Sequence, residues 1–247
     1  MDNIGYVSLT QAAMLERALD VTTNNIANSG TDGFRGSRSA FEALVENSLR
    51  DGKPEAISYP YDRSYVDLSP GALTLTGNSL DVAIDGPGWF AYRNQEDQLG
   101  LGRDGRLSVS DAGFLQTTAG SNILDAAGAP VMIPQGAGVL TIAADGSIMS
   151  EAGVLIGQIG VFDEPQIGSW QPASNGMFTP PSGNAELVPA LDFRVVQGFS
   201  EGSNVNTMVE MTRMISVQRA YERSLNSAGM ADELRQDTIK RLGSPAT

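Results

Sequence analysis

At both ends of this 247-residue chain the apolar residues recur with a helical period, whereas in the middle they alternate over short runs between turns. From Asp2 to about Asn28 there is no proline and one glycine, Gly5. Ile4, Val7, Met14, Ala18 and Val21 fall there on one seven-residue seam, widened by Leu15, Leu19 and Ile26. The C-terminal stretch opens with Ser203-Asn204, residue types that cap helices, and runs without proline to Leu242 past a single Gly229. Val205, Met208, Met211 and Ile215 line one side of it, and Met214, Val217, Tyr221, Leu225 and Ala228 make a second row at heptad spacing. At about 1.5 Å per residue these helices are about 40 Å and about 60 Å long. The seams are narrow and the polar faces carry few charges, which suits packing of helix on helix. Two packings fit: a two-helix layer over a β-core, or a terminal coiled coil that also packs on neighbouring chains.

Between the ends, Asn28-Ser29-Gly30-Thr31-Asp32-Gly33-Phe34-Arg35 is a turn-rich break with Phe34 as an apolar anchor. The spacing of Phe41, Leu44, Val45 and Leu49 predicts a short helix, and residues 51–71, with three prolines and three tyrosines, read as an extended connector. Alternation sets in at Ala72 to Thr76 and continues through Leu80 to Ile84 and Trp89 to Tyr92. Turn signals then recur at Asp104-Gly105, Asp111-Ala112-Gly113, Ala127-Gly128, Gln135-Gly136 and Asp145-Gly146, a spacing typical of an antiparallel all-β module. The expected class is therefore α+β, with the terminal helices paired in a coiled-coil-like layer and a central antiparallel β-domain. The expected division is residues 1–36 with 203–247 as a helical domain, 37–71 as connector and 72–202 as a β-rich outer domain.

Composition narrows the chemistry. A hydrophobic fraction of 41% supports a real core. The chain has no cysteine, which excludes disulfides and thiolate metal sites, and no histidine, which removes the commonest general base and transition-metal ligand. The net charge of −13 is concentrated in the middle: residues 1–36 hold four acids and two bases, 203–247 five acids and six bases, and 37–202 the remaining 20 acids and eight bases. Such a lobe repels nucleic acid and anionic lipid, while the near-neutral ends can pack against like chains. No segment has the length and apolarity of a membrane span, and Met1-Asp2-Asn3-Ile4 lacks the cationic and apolar regions of a Sec leader.

The chemical motifs are weak. Asp-Gly pairs at 32, 51, 85, 104 and 145 read as hairpin turns, since none lies in an acidic loop ending in the glutamate that an EF-hand requires. Asp85-Gly86-Pro87-Gly88 has no lysine after it and no strand-to-helix switch, so it does not match a phosphate loop. The acid pairs Glu96-Asp97 and Asp163-Glu164 are sequence neighbours, a poor arrangement for two carboxyls flanking one bond. Trp89, within Gly88-Trp89-Phe90, reads as core, whereas Trp170, in a loop rich in proline and glycine, reads as a surface contact. No catalytic residue, cofactor site, metal site or small-molecule substrate is expected.

Several blocks together resemble the flagellar rod and hook family of axial proteins. Asn24-Asn25-Ile26-Ala27-Asn28 followed by Thr31-Asp32-Gly33-Phe34 is similar to that family's N-terminal signature. Asp81-Val82-Ala83-Ile84-Asp85-Gly86-Pro87-Gly88-Trp89-Phe90 resembles the block that opens its β-domain, with Trp89 where phenylalanine is common. Arg103-Asp104-Gly105-Arg106-Leu107 is similar to a third block, although Leu101-Gly102 stands where Tyr-Thr is usual, and Thr141 to Ile148 matches a fourth. Glu201-Gly202-Ser203-Asn204-Val205-Asn206 and the run Met214 to Glu222, with Gln218, Arg219 and Tyr221, resemble the C-terminal signature.

The resemblance implies a structural subunit of the bacterial flagellar basal-body proximal rod, polymerising into a hollow drive shaft that carries torque from motor to hook. The alternatives are a distal-rod or hook-type subunit and, outside the family, a sugar-binding adhesin using Trp170 or a carboxylate hydrolase. It also implies export through the flagellar type III apparatus to a periplasmic rod, with other rod subunits and copies of the chain itself as partners. Neither nucleic acid nor membrane insertion is expected. The seam residues, Met208, Met211 and Ile215 among them, are then the expected subunit contacts.

Overall fold

The structure, a computed structural model, describes residues 2–50, 53–181 and 185–243, with side-chain surroundings described for these except 2–6, 40–50, 53–63, 174, 239 and 241–243. The chain separates into two compact units: Met1–Ala27, Ser37–Val66 and Asn206–Thr247 form one, and Asn28–Gly36 and Asp67–Val205 the other.

The first unit holds α1 (Asp2–Ala27) and α2 (Thr207–Gly243), which pack on each other. α2 begins later than expected. Its cap is Asn206, whose Oδ1 accepts from the amides of Met208 (3.0 Å) and Val209 (3.2 Å), satisfying two of the helix's free N–H groups. Asn204 does not cap, because its side chain is bonded elsewhere, as described below. Gly229 does not interrupt α2.

The buried stripe differs from the apolar spacing because small polar residues share it. On α1 Ser8, Ala12, Met14, Ala18, Thr22 and Asn25 are buried and Val21 half-buried, while Val7 and Leu9 are exposed. On α2 Glu210 and Ser224 are buried, and Met214, Val217, Tyr221 and Ala228 half-buried. The hydroxyls find backbone partners: Thr22 Oγ1 donates to Ala18 O (2.8 Å) and Ser224 Oγ to Ser8 O (2.6 Å). A satisfied hydroxyl is small and costs little to bury, so it can stand where a close helix approach leaves no room for leucine.

Residues 37–66 also differ from expectation. In place of a short helix and a connector, β1 (Ser37–Arg50) and β2 (Lys53–Val66) form an antiparallel ladder in register from Ser37↔Val66 to Arg50↔Lys53. Pro54 and Pro60 bar β2 from helix, and its Ile57, Tyr59, Tyr61 and Tyr65 favour strand; pairing with β2 then overrides the helical spacing of β1. Asp51-Gly52, expected as a hairpin turn, lies outside the described residues.

The second unit holds β3 (Leu73–Leu75), β4 (Val82–Asp85), β5 (Trp89–Arg93), β6 (Leu99–Gly102), β7 (Leu107–Val109), β8 (Leu115–Thr117), β9 (Asn122–Ile123), β10 (Thr141–Ile142), β11 (Ser147–Met149) and β12 (Leu155–Gln158). β13 (Val161–Asp163), β14 (Gln171–Pro172), β15 (Phe178–Thr179), β16 (Val188–Pro189), β17 (Arg194–Gln197) and β18 (Phe199–Glu201) complete it. Every pairing is antiparallel. β5 is the spine of the largest sheet: β6 pairs one edge, and β13 and β9 share the other. β10, β11 and β12 make a three-stranded sheet, while β4 with β17 and β3 with β18 bring the C-terminal end of the unit back beside its beginning. The core gathers Phe90, Tyr92, Leu115, Ile123, Ile148 and Ile159. Trp89 lies in the interior with its ring edge-on to Phe178 at 5.7 Å. Trp170, expected at the surface, is also buried, which removes it as a sugar-stacking platform.

Of the Asp-Gly turns, Asp145-Gly146 closes the β10–β11 hairpin. Asp32-Gly33, Asp85-Gly86 and Asp104-Gly105 join elements that do not pair, so they are not hairpin turns. Glycine at two of these positions instead permits close backbone approach. A Cβ on Gly33, whose φ is +69°, would lie 2.4 Å from Arg103 C and Asp104 N, and one on Gly105 would lie 1.6 Å from Val82 O. Gly105→Ala is accordingly expected to destabilise the β-rich unit by about 2–3 kcal/mol, as overpacking against backbone does. Urea unfolding followed by tryptophan fluorescence measures this, and a midpoint equal to that of the unchanged protein contradicts it.

Candidate functional site

Three of the sequence blocks converge on one buried carboxylate in the β-rich unit. Glu201, at the end of β18 and 1% exposed, places Oε1 2.5 Å from Arg35 Nη2 and 2.9 Å from the amide of Gly71. Its Oε2 accepts from Arg103 Nη1 at 3.2 Å, and its carbonyl accepts from the amide of Gly33 at 2.7 Å. Arg103 also donates to Ile84 O (3.2 Å) and Gly86 O (2.8 Å), tying the end of β4 to the block that follows β6. The two guanidiniums lie 5.7 Å (Arg35) and 5.2 Å (Arg103) from the ring centroid of Trp89. Arg35 Nε and Nη1 and Arg103 Nε make no hydrogen bond, and the π-face of Trp89 is the electron-rich group beside them. Burial lowers the pKa of Arg103, with the charge of Arg35 acting in the same direction and Glu201 opposing both.

Beside this node the ends of the unit are stitched together by Asn204. Its Oδ1 accepts from the amide of Gly36 (2.8 Å), and its Nδ2 donates to Asp67 O (2.8 Å) and Ser69 O (3.0 Å). Its own amide donates to Phe34 O (3.3 Å). One side chain therefore holds three passes of the chain. Gly202 adds the bond from its amide to Ala72 O (2.9 Å).

The helical unit has a polar node of its own. Asn25, 1% exposed, exchanges two hydrogen bonds with the backbone of Ser37, donating from Nδ2 to O (2.8 Å) and accepting at Oδ1 from N (2.9 Å). Its Nδ2 also reaches Glu210 Oε2 at 3.4 Å, and Glu210 Oε1 pairs with Arg38 Nη1 at 2.7 Å. The first turn of α2 is thereby fixed against the end of α1 and the start of β1.

The expected contact residues divide between two faces. Met14 and Ala18 are buried, and Val21, Val205 and Tyr221 half-buried; Val7, Met208 (74% exposed), Met211, Ile215 (53%) and Leu225 are turned to solvent. The side chain of Ile4 lies outside the described surroundings. Among the block residues Gly33, Phe34, Asp81, Gly88, Asp104 and Gly105 are buried, Asn28 half-buried, and Ala27, Gly86, Gln218 and Arg219 exposed. Spacing alone did not single out Arg35, Arg103, Glu201 or Glu210. The available signal was a charged residue set inside a block of glycine and apolar residues, which marks a charge that folding must pair. Among the described residues no group of three His, Cys, Asp or Glu converges on a metal site, and no helix is long and apolar enough to cross a membrane.

A β-rich unit closed by segments leading to two long helices, one with an uncovered apolar row, is the architecture of a structural assembly subunit. Family models match the chain at residues 9–35 (flagella basal body rod protein), 83–150 (flagellar hook protein FlgE/F/G D1 domain) and 196–241 (flagellar basal body rod FlgEFG protein C-terminal). The chain belongs to the flagellar basal-body rod protein family: it is a structural subunit of the basal-body rod, a part that assembles with other axial subunits. Within the family it is FlgF-like. It is 36% identical to the flagellar basal-body rod protein FlgF of Rhizobium meliloti (strain 1021) over 218 residues, 88% of each chain. It is 35% identical to FlgF of Mesorhizobium japonicum over 248 residues, 97% of each chain. FlgG of Agrobacterium fabrum is 30% identical over 250 residues, 91% of this chain and 93% of that one.

Burial raises the pKa of Asp104 from 3.8 to about 6, opposed by a hydrogen bond from the amide of Arg106 and augmented by the charge of Asp32. An acid raised in the folded state binds its proton more tightly there than in the unfolded chain. Its contribution is therefore most favourable below about pH 4 and declines as the pH rises to about 6. Asp104→Asn removes this titration, so the stability of that variant relative to the unchanged protein should increase by on the order of 1 kcal/mol between about pH 5 and about pH 7. Urea midpoints of both proteins at the two pH values decide it; a difference that does not vary with pH contradicts the assignment.

Proposed function

We propose that this subunit belongs to the proximal rod, where α1 and α2 pair in a coiled-coil-like layer around a hollow axis and the exposed row of α2 packs on neighbouring subunits. The observation that carries this reading is the division of α2 into two rows. Met214, Val217, Tyr221 and Ala228 turn toward α1, while Met208, Met211 and Ile215 remain in solvent. A helix with one apolar row covered and another bare is built for a second contact. Unbranched thioethers at Met208 and Met211 suit neighbours that are not identical, because they adapt their shape. In this reading residues 1–36 and 203–247 supply the axial domain and residues 72–202 the outer one. The chain leaves the cell through the flagellar type III export apparatus and reaches a periplasmic rod. Its work is mechanical: it carries torque between the inner rod and the distal rod, with other rod subunits and copies of itself as neighbours. A distal-rod place is the second reading, favoured by the FlgG relatives, which are 28–30% identical.

Electron cryotomography of basal bodies from a strain lacking the gene separates these readings. Loss of distal rod and hook is the outcome for a proximal subunit, and a rod that lacks only its distal segment the outcome for a distal one. At residue level, Ile215→Asp is expected to be exported in normal amount, since the position is solvent-exposed, yet to be missing from purified basal bodies and to abolish swimming. A charge carried into an apolar contact has no partner there. Normal swimming by that variant contradicts the interface role of the outer row.

A further inference from the structure

The apolar seam between α1 and α2 does not by itself fix which residue meets which. On α2 the residues turned toward α1, Met214, Val217, Tyr221, Ser224 and Ala228, follow one another at steps of three and four. On α1 the covered residues Ala12, Met14, Ala18, Val21 and Thr22 are likewise small or apolar. Sliding one helix past the other by a single turn therefore lays similar side chains on one another. In helix pairs of this kind a polar group at one seam position selects a single register.

Two polar contacts mark the register. Ser224 Oγ donates to Ser8 O (2.6 Å), so residue 224 lies by residue 8. Glu210, 2% exposed, accepts from Arg38 Nη1 at Oε1 (2.7 Å) and from Asn25 Nδ2 at Oε2 (3.4 Å). Residue 210 thus lies by residue 25, and the helices run antiparallel. The contacts differ in what a slip costs. A slip deprives Ser224 of one hydroxyl partner, whereas Glu210 is a carboxylate in the interior. Slid one turn one way, Glu210 comes opposite Val21 and Thr22, and the hydroxyl of Thr22 is already held by Ala18 O (2.8 Å). It has then lost both Asn25 and Arg38, and a buried charge without a partner is strongly unfavourable. Slid the other way, Met214 takes its place beside Asn25 and Arg38 and offers no negative charge.

We propose that Glu210 is the register pin of the α1–α2 pair: it excludes pairings slid by one turn while adding little to the stability of the pairing it selects. Its partners explain the second half of that statement. Bringing the carboxylate out of water offsets much of what its contacts return. Without it, Arg38, whose side chain is 31% exposed, reaches water, and Asn25 keeps both of its hydrogen bonds to the backbone of Ser37. Glu210→Leu therefore strands neither of the groups that Glu210 touches. The pin does not rest on the rod reading. Within that reading it also sets the height of Met208, Met211 and Ile215, because a slip of one turn moves them along the pair by about 5.4 Å.

The chain has no cysteine, so introduced thiols report the register without background. Full-length chains carrying Ser8→Cys together with Ser224→Cys, Ala220→Cys or Ala228→Cys are oxidised at high dilution, and the disulfide within one chain is followed by non-reducing electrophoresis. Ala220 and Ala228 lie one turn to either side of Ser224. With Glu210 in place, the 8–224 pair is expected to close about tenfold faster, or more, than either offset pair. Glu210→Leu is expected to remove most of that preference while its urea midpoint, followed by circular dichroism, stays that of the unchanged chain. Glu210→Gln, whose amide oxygen still accepts from Arg38, is expected to retain the preference. Equal rates for the three pairs with Glu210 in place, or the same preference in Glu210→Leu, overturns the pin. A lowered midpoint for Glu210→Leu overturns it too, since Glu210 is then a prop of the fold and not a selector of register.

Discussion

The β-rich unit depends on pairing one buried carboxylate. Glu201 pairs with both Arg35 and Arg103 in the buried interior, and the three residues come from segments separated by 68 to 166 positions in the chain. Removing one partner of a buried pair leaves an uncompensated charge, at a cost of about 3–5 kcal/mol. The unit therefore reaches its full fold only when the short segment after α1 and the last strand before α2 are both in place. Trp89 beside both guanidiniums, Gly33 against the backbone of Arg103 and Asn204 on Gly36, Asp67 and Ser69 all follow from holding those segments together.

The helical unit applies the same rule to a different end. Polar groups are buried only with partners: Ser224 on the carbonyl of Ser8, Thr22 on that of Ala18, and Glu210 between Asn25 and Arg38. Small satisfied residues allow α1 and α2 to approach closely, and Met208, Met211 and Ile215 of α2 are left outward. For a rod subunit this division is useful, because the chain can order its own helix pair and still present Met208, Met211 and Ile215. The acidic surface of the β-rich unit, with its arginines internally paired, limits unspecific contact between copies.

Much of the fold was legible in the sequence. The two helices, the antiparallel character of the middle and the Asp145-Gly146 hairpin follow from period, turn chemistry and proline placement, all local properties. Residues 37–66 were misread because the helical spacing of Phe41, Leu44, Val45 and Leu49 is also local, while the pairing of β1 with β2 is not. Three Asp-Gly pairs were read as hairpin turns because the dipeptide gives the bend without saying what lies across from it. The blocks around Asn25, Gly33, Asp104 and Gly202 were visible as blocks, and their purpose was not.

The sequence by itself determined which residue types are absent, where the acidity lies, that both ends are helical and which family the blocks resemble. Only the tertiary structure decided which apolar row of α2 is covered and that Glu201 is the partner of two arginines. Periodicity records the chance of burial at a position. Which position is actually buried depends on the partner surface, and a buried charge is tolerable only where a distant segment brings the opposite charge to it.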